Sequence, residues 1–479
     1  MAPAARRPLD GLFAAAFGLT GLALGARPIA DNSTFVHLRT GIDIVAGRGI
    51  PRVDPYSATA AGEAWVVQSW LPAVAYGLAQ RLDGSGGALL VLNGALMAFL
   101  ALLVYRIARA GSTLRTVGAA LVAILVSGPW WTPRPLLFGL ACLALTILVV
   151  ETARRPWLLL PVAWVWVNSH GSFPLGAVWL AAAAIGAAAD ERRLVTARLK
   201  AGLWFLGGLV LACVNPLGPR LLAFPLSLGE RREVFRLIIE WKPADFQSSN
   251  GLVAAIGLAL ACVVLSRRRV PFAYSIPAGV FVLAGLVAQR NLAPAGIVLA
   301  PAMGMALAHQ RDPEAAATEV EEADKEAVGE DRARATPRDR VVGVMVAVAA
   351  VLLLANALYQ GPLELTDYPV EVVRQAEKLG AFDDGQLVAT QDTVGCYLIL
   401  RRGRGAGVFI DDRYDMYPVA VSLDYLTLLR ARPGAAEVLD RRGVDSVLWE
   451  RSEPLVPALV DRGWREAAGD SRWVLLRRP

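Results

Sequence analysis

Charge is scarce in this 479-residue chain: Asp, Glu, Lys and Arg make up 19% of it, against 55% hydrophobic residues, where soluble domains carry ~25% charged residues. With a mean hydropathy of +0.45, a purely soluble protein is excluded, as are disordered and fibrous classes. Lysine is nearly absent, with Lys200, Lys242, Lys325 and Lys378 the only ones among 48 basic residues, so arginine carries the net charge of +6. In so apolar a chain a basic balance records arginines held on the cytoplasmic side of a membrane, and nucleic acid is not an expected partner. Cysteine is sparse too. Cys142, Cys213 and Cys262 lie in apolar runs and only Cys396 in a polar region, so no disulfide framework and no zinc-ligand spacing is present. No Walker loop, GxGxxG, GxSxG or HExxH motif occurs, and Gly84-Ser85-Gly86-Gly87 is a turn with nothing after it to cradle nucleotide phosphates.

Long apolar runs, rich in Gly, Pro and Trp, define a polytopic helical membrane protein. Eleven stretches have the length and apolarity of spans: 10–27, 86–105, 116–131, 135–151, 156–168, 173–189, 200–216, 251–265, 271–288, 292–309 and 341–359, the fifth being the shortest. Arginines fall in alternate loops: Arg6 and Arg7, then Arg106, Arg109 and Arg115, then Arg154 and Arg155, then Arg192, Arg193 and Arg198, then Arg267, Arg268 and Arg269. By the positive-inside rule these loops are cytoplasmic, which places the N-terminus inside and the C-terminus outside. Ala23, Gly25 and Ala26 also give the first span the small residues of a signal-peptide cleavage site, without altering the rest of the topology.

The expected organisation is a transmembrane core over 1–309 with a large first outer loop (28–85), an acidic cytoplasmic linker over 310–340, a last span over 341–360 and an extracytoplasmic α/β domain over 361–479. In that domain the pattern predicts helices near 368–379, 422–430, 435–442 and 454–461, and strands at 386–390, 397–401, 407–411, 446–450 and 473–476.

The outer loops hold the polar groups that solubility does not explain. Asp31, His37, Arg39, Asp43, Arg48, Arg52 and Asp54 follow the first span; Arg134, Asn168, His170, Arg220, Arg290 and Asn291 occupy later outer loops. The spans carry essentially no ionisable residue away from their ends, which counts against an ion-coupled transporter. The run from Ala64 to Gln80, with Trp65 and Trp70, suits a helix or re-entrant piece in the interface, either as a depth anchor or as the wall of a lipid groove. Asp411, Asp412 and Asp415 follow an expected strand; they can gather a divalent cation, or Arg413 can pair with one of them in a loop facing the membrane domain.

The runs Asp31-Asn32-Ser33-Thr34-Phe35-Val36-His37-Leu38-Arg39, Pro51-Arg52-Val53-Asp54-Pro55-Tyr56, Gln68-Ser69-Trp70-Leu71, Arg134-Pro135, Asn168-Ser169-His170-Gly171 and Asp411-Asp412-Arg413-Tyr414-Asp415 resemble bacterial members of the C-type (GT-C) integral membrane glycosyltransferase superfamily, over nearly the whole chain. The resemblance implies a sugar donor on a polyprenyl phosphate, a cell-envelope glycan or protein as acceptor on the outer face, and an acid just after the first span as general base, a position matched by Asp31. An inverting transfer needs such a carboxylate to take the acceptor's proton, and guanidiniums to meet the charge of the departing polyprenyl phosphate. Arg134 and Arg290 are the leading phosphate ligands, with Arg39, His37 and His170 as further substrate contacts. Each histidine can equally make a structural bond to a loop carbonyl, and Asp31 can equally cap a helix. No cofactor is implied with certainty; a divalent metal is compatible with the class. Where the resemblance places a second acid, two residues after the first and again before the Trp-Leu pair, this chain has Ser33 and Ser69. That departure keeps a second reading open, a non-catalytic membrane protein of the same fold that binds a lipid-linked glycan or a partner protein.

Overall fold

Every one of the eleven apolar stretches forms a helix. The computed structural model describes residues 8–236, 238–308 and 337–479. Its helices are α1 (Pro8–Gly25), α2 (Asn32–Asp43), α3 (Trp70–Asp83), α4 (Gly87–Ile107), α5 (Thr113–Ser127), α6 (Leu136–Thr152), α7 (Leu159–Ser169), α8 (Pro174–Glu191), α9 (Ala197–Leu211), α10 (Arg220–Ser227), α11 (Arg232–Phe235), α12 (Ser249–Ser266), α13 (Phe272–Val287), α14 (Leu292–Ala308) and α15 (Pro337–Tyr359). Five segments are long and apolar enough to cross a membrane: Gly87–Ile107, Thr113–Trp130, Ser249–Ser266, Gln289–Ala308 and Arg340–Tyr359. At 11 residues, α7 is only ~16 Å long, about half a ~30 Å hydrocarbon core. The expected linker lies outside the described residues up to position 336, and 337–340 already belong to α15.

Polar side chains set where the apolar helices begin. The Asp83 carboxylate accepts the N–H groups of Gly86 and Ala88 (2.9 and 2.7 Å) and so starts α4, and Ser248 caps α12 through the Gly251 N–H (3.1 Å). Asp190, near the end of α8, accepts from Phe272 and Ala273 (3.0 and 2.9 Å) and caps the distant α13, which packs on α8. α1 packs on α4, α4 on α6, α5 on α14, and α7 on α9. α14 is buried along most of its length, whereas α15 lies against α1 and α4 with most of its surface open, Val341, Val344, Met345 and Leu352 included. That apolar exterior marks a membrane protein.

Residues 28–85 do not form one interfacial segment. α2 and α3 cross in it at Gly41 and Gly77, whose backbones touch: a Cβ on Gly41 would fall on the Ala73 carbonyl, and one on Gly77 on the backbone of Gly41. Between the two helices the chain is irregular, and Val53 pairs with Ala64, which holds Trp65 in the core and delays the start of α3 to Trp70. Gly41→Ala is therefore expected to lower the melting temperature markedly, because helix backbones have to separate. Gly202→Ala, at a position with nothing within 4 Å, serves as control, and equal melting of the two variants would contradict this packing.

The C-terminal part contains a four-stranded sheet of order β1-β2-β4-β3, with β1 (Val388–Thr390), β2 (Ser446–Glu450), β3 (Arg465–Gly469) and β4 (Trp473–Arg477). β1 and β2 are parallel and the other pairs antiparallel. The helices are α16 (Val370–Lys378), α17 (Asp392–Arg402), α18 (Val419–Leu429), α19 (Ala435–Arg441) and α20 (Leu455–Val460). Two expected strands are corrected. Residues 397–401 lie within α17, which packs on α2. Residues 407–411 are irregular and largely buried, pairing only through a bridge between Val408 and Ser57, which lies between α2 and α3. A second bridge joins Ile29 to Leu363. The C-terminal part is thus stitched directly to the segment between α1 and α4.

Candidate active site

α2 starts because Asp31 caps it: its Oδ1 accepts the Ser33 N–H (3.0 Å). The same carboxylate does more than cap, since its Oδ2 accepts from Arg134 Nε (2.5 Å). Arg134 sits between Trp130 and α6 and reaches Glu240 with its other arm. Burial works against the charge on Arg134, but Asp31 and Glu240 outweigh it and raise its pKa above the usual arginine range. An acid just after the first helix, an arginine before the sixth and a glutamate some 100 residues later therefore form one chain of charges.

This chain borders a cavity of about 970 Å³. His37, Arg134, His170 and Arg290 all line it, together with Ser33, Arg232, Glu240, Trp241, Asn291, Asp412 and Asp415. Four of the six residues singled out in the sequence therefore share one chamber. Asp31 touches that chamber through Arg134 and itself lines a smaller cavity of about 350 Å³ with Arg27, Met97, Trp131 and Pro133. Arg39 does not line the large cavity. Its guanidinium pairs with Asp43 one turn on (3.0 Å), in a group that also holds Arg48 and Arg404. In the structure Arg39 makes its bond within α2.

Both cavity histidines are neutral near pH 7. His37 is pushed down to about 4 by burial, then by Arg134 and Arg413. His170 is pushed down to about 3 by burial, then by Arg290, His37 and Arg134. His170 Nδ1 accepts the Ser172 N–H (3.1 Å), which leaves its proton on Nε2. That bond goes to a backbone amide, where a loop carbonyl was the expected structural partner. Arg290 lies in the turn Gln289–Asn291 with its guanidinium 4.3 Å from the Trp241 ring centre. It has no ion pair among the described residues and lines the chamber with Glu240 and Arg134.

The C-terminal part closes the chamber with the 411–415 loop. Arg413 is buried at 6% exposure and holds Asp411 by two bonds (Nε–Oδ1 2.7 Å, Nη2–Oδ2 2.6 Å) and Asp54 by a third (2.8 Å). It also stacks 4.4 Å from the Trp65 ring centre. The alternative in which Arg413 pairs within this loop against the membrane domain is the observed one. Asp411 is thereby committed to Arg413 and Tyr417, and among the described residues no group of three or more His, Cys, Asp or Glu is arranged to hold a metal. Asp412 and Asp415 face the chamber. Asp412 is pushed up to about 7 by burial and then Asp411, against Arg134 and Ser33; Asp415 is pushed up to about 6 by burial, against Arg413. Sequence reasoning noted Asp412 only as a cation ligand and did not select Glu240 or Trp241, because only the tertiary fold brings them to the chamber that Arg134 lines.

The helical core and small C-terminal sheet are similar in structure to archaeal oligosaccharyltransferase AglB from Archaeoglobus fulgidus, a GT-C superfamily integral membrane glycosyltransferase, solved in complex with an inhibitory peptide and a dolichol-phosphate. That likeness has a TM-score of 0.53 and 13% identity, covering 92% of this chain and 69% of that one. A second structure of the oligosaccharyltransferase from the same organism, tethered to an acceptor peptide containing the NVT sequon via a disulfide bond, gives a TM-score of 0.53 at 12% identity with the same coverage. At these identities the likeness is one of fold. No family model and no curated protein matches the sequence.

Proposed function

We propose that this protein is a membrane glycosyltransferase that moves a sugar from a polyprenyl-phosphate carrier to an acceptor on the outer face of the membrane. The observation that carries the reading is the convergence of Arg134, Arg290 and Arg232 with two neutral histidines and several carboxylates in one chamber. Arginine forks match phosphate oxygens, and a phosphate that gains charge as it leaves is stabilised by guanidiniums already in place. Neutral His37 and His170 are suited to hydrogen-bond phosphate or sugar hydroxyls without adding charge. Asp31, at the place of the base in the GT-C resemblance, is the carboxylate that anchors Arg134. The AglB structure in complex with a dolichol-phosphate supports a lipid-linked donor, and the one tethered to an acceptor peptide supports a protein acceptor.

The proposed topology has eleven spans, a cytoplasmic N-terminus, a cytoplasmic linker over 310–340 and an extracytoplasmic domain over 361–479 in the cell membrane, following the alternation of arginines. A second reading, a lipid-glycan binding protein without transfer activity, draws on Ser33 and Ser69 where the resemblance has acids. It shares the phosphate site and differs only in turnover.

Binding of farnesyl phosphate tests the phosphate site. Arg290→Ala is expected to weaken it ~10- to 100-fold, the equivalent of one charge-assisted hydrogen bond of about 1.5–3 kcal/mol. Equal affinity in wild type and variant, by calorimetry in detergent, would remove Arg290 from the site.

A further inference from the structure

We propose that Asp412, carried in by the outer domain, is the general base of the transfer, so that the membrane core holds the donor phosphate while the outer domain activates the acceptor. This rests on the glycosyltransferase reading above.

Asp31 is poorly placed for the task, because both of its oxygens are engaged, one by the Ser33 amide and one by Arg134. Glu240 is likewise paired with Arg134. Asp412 lines the same chamber and has no ion pair among the described residues. It stands next to Ser33, where the resemblance places a second acid, so the outer domain supplies a carboxylate that α2 lacks. Its position is fixed, since the next residue, Arg413, clamps the loop to Asp54.

The groups facing Asp412 are Asp31 and Ser33 from the start of α2, Arg134 from the loop before α6, Cys396 from α17, the phenols of Tyr368 and Tyr414, and its neighbour Asp411. The thiol and both phenols are pushed up, chiefly by burial, and stay protonated. Burial and Asp411 raise the proton affinity of Asp412 to a pKa of about 7, near the optimum for a base working at neutral pH.

In the step, the acceptor hydroxyl oxygen bonds to the anomeric carbon as the bond from that carbon to the phosphate oxygen breaks. The electron pair departs with polyprenyl phosphate, beside Arg134 and Arg290. The hydroxyl proton passes to Asp412 and then to water.

The test is release of farnesyl phosphate by the full-length protein in nanodiscs from farnesyl-phosphate-linked mannose, glucose and N-acetylglucosamine, with methyl glycosides as acceptors, between pH 5 and 9. Wild-type release is expected to rise through about pH 7 as Asp412 loses its proton. Neither histidine should add a limb in this range. Asp412→Asn is expected to slow release ~10²- to 10⁴-fold with unchanged farnesyl phosphate affinity, and Asp412→Glu to recover part of the rate with an acid limb. Asp412→Asn within threefold of wild type, with the same limb, overturns Asp412 as base and leaves the glycosyltransferase reading standing. Equal loss of phosphate affinity and of rate, unrelieved by Glu, also overturns it, in favour of a structural role. No release by wild type from any donor overturns the transfer reading itself, and the base with it.

Discussion

Arg413→Ala is expected to be the most destabilising single substitution outside the membrane helices, costing about 3–5 kcal/mol. The arginine is buried between Asp411 and Asp54, which are 0% and 4% exposed; its two bonds to Asp411 fix the 411–415 loop, and its bond to Asp54 joins that loop to the segment between α1 and α4. Removal leaves two buried carboxylates without a cation and empties the space over Trp65 and Tyr56. Lysine cannot replace it, because one ammonium does not reproduce a fork shared between two acids. Thermal unfolding of the purified protein should show a large drop in melting temperature, and limited proteolysis should cut between the last membrane helix and the outer domain. An Arg413→Ala protein as stable and as protease-resistant as wild type would show that the domain is held elsewhere.

Arg134→Ala is expected to impair both donor binding and turnover. Its guanidinium lies between Asp31 and Glu240 at the wall of the chamber, so the variant loses a phosphate ligand and leaves two acids beside an incoming anion. Loss of one donor to a developing charge costs ~10²- to 10³-fold in rate, and the uncovered acids add repulsion to it. Arg134→Lys should rescue little, for the same geometric reason as at Arg413. Asp31→Asn separates the contributions. Asparagine still caps α2, so folding should persist while the placement of Arg134, and with it donor affinity, declines. Unaltered donor affinity in both variants would take Arg134 out of the phosphate site.

The membrane helices are legible in the sequence because each is a long apolar run between charged loops; the expected boundaries of α4, 86–105, lie close to the observed Gly87–Ile107. The outer domain is less legible. Tyr397-Leu398-Ile399-Leu400 reads as a short buried strand, yet it continues a helix that starts at Asp392, whose carboxylate is held by Tyr414 and Tyr425 (2.9 Å each), and that ends at Gly403. β3, Arg-Glu-Ala-Ala-Gly, carries almost no apolar signal because it is an exposed edge strand. α2 is legible only as the helix that Asp31 can cap, since its apolar residues pack beneath α17, a surface that the sequence does not reveal.

The site divides in the same way. Asp31, Arg134, His170 and Arg290 stand out locally, as polar residues at the ends of apolar runs. The pairing of Arg134 with Glu240 spans 106 residues, and that of Asp54 with Arg413 spans 359. Such distances in sequence leave no local signal. Arg39 and His37 look alike in sequence, two residues apart on α2, but that spacing turns them to different faces, one to Asp43 and the other to the chamber.

Mass spectrometry of lipids retained by the purified protein, comparing wild type with Arg134→Ala and Arg290→Ala, tests the central claim most directly. Wild type is predicted to carry a polyprenyl phosphate or its glycoside, and both variants are predicted to lose it while remaining folded. A wild-type preparation free of any polyprenyl lipid, or the same lipid retained by all three proteins, would contradict the assignment of this chamber to a lipid-linked phosphate.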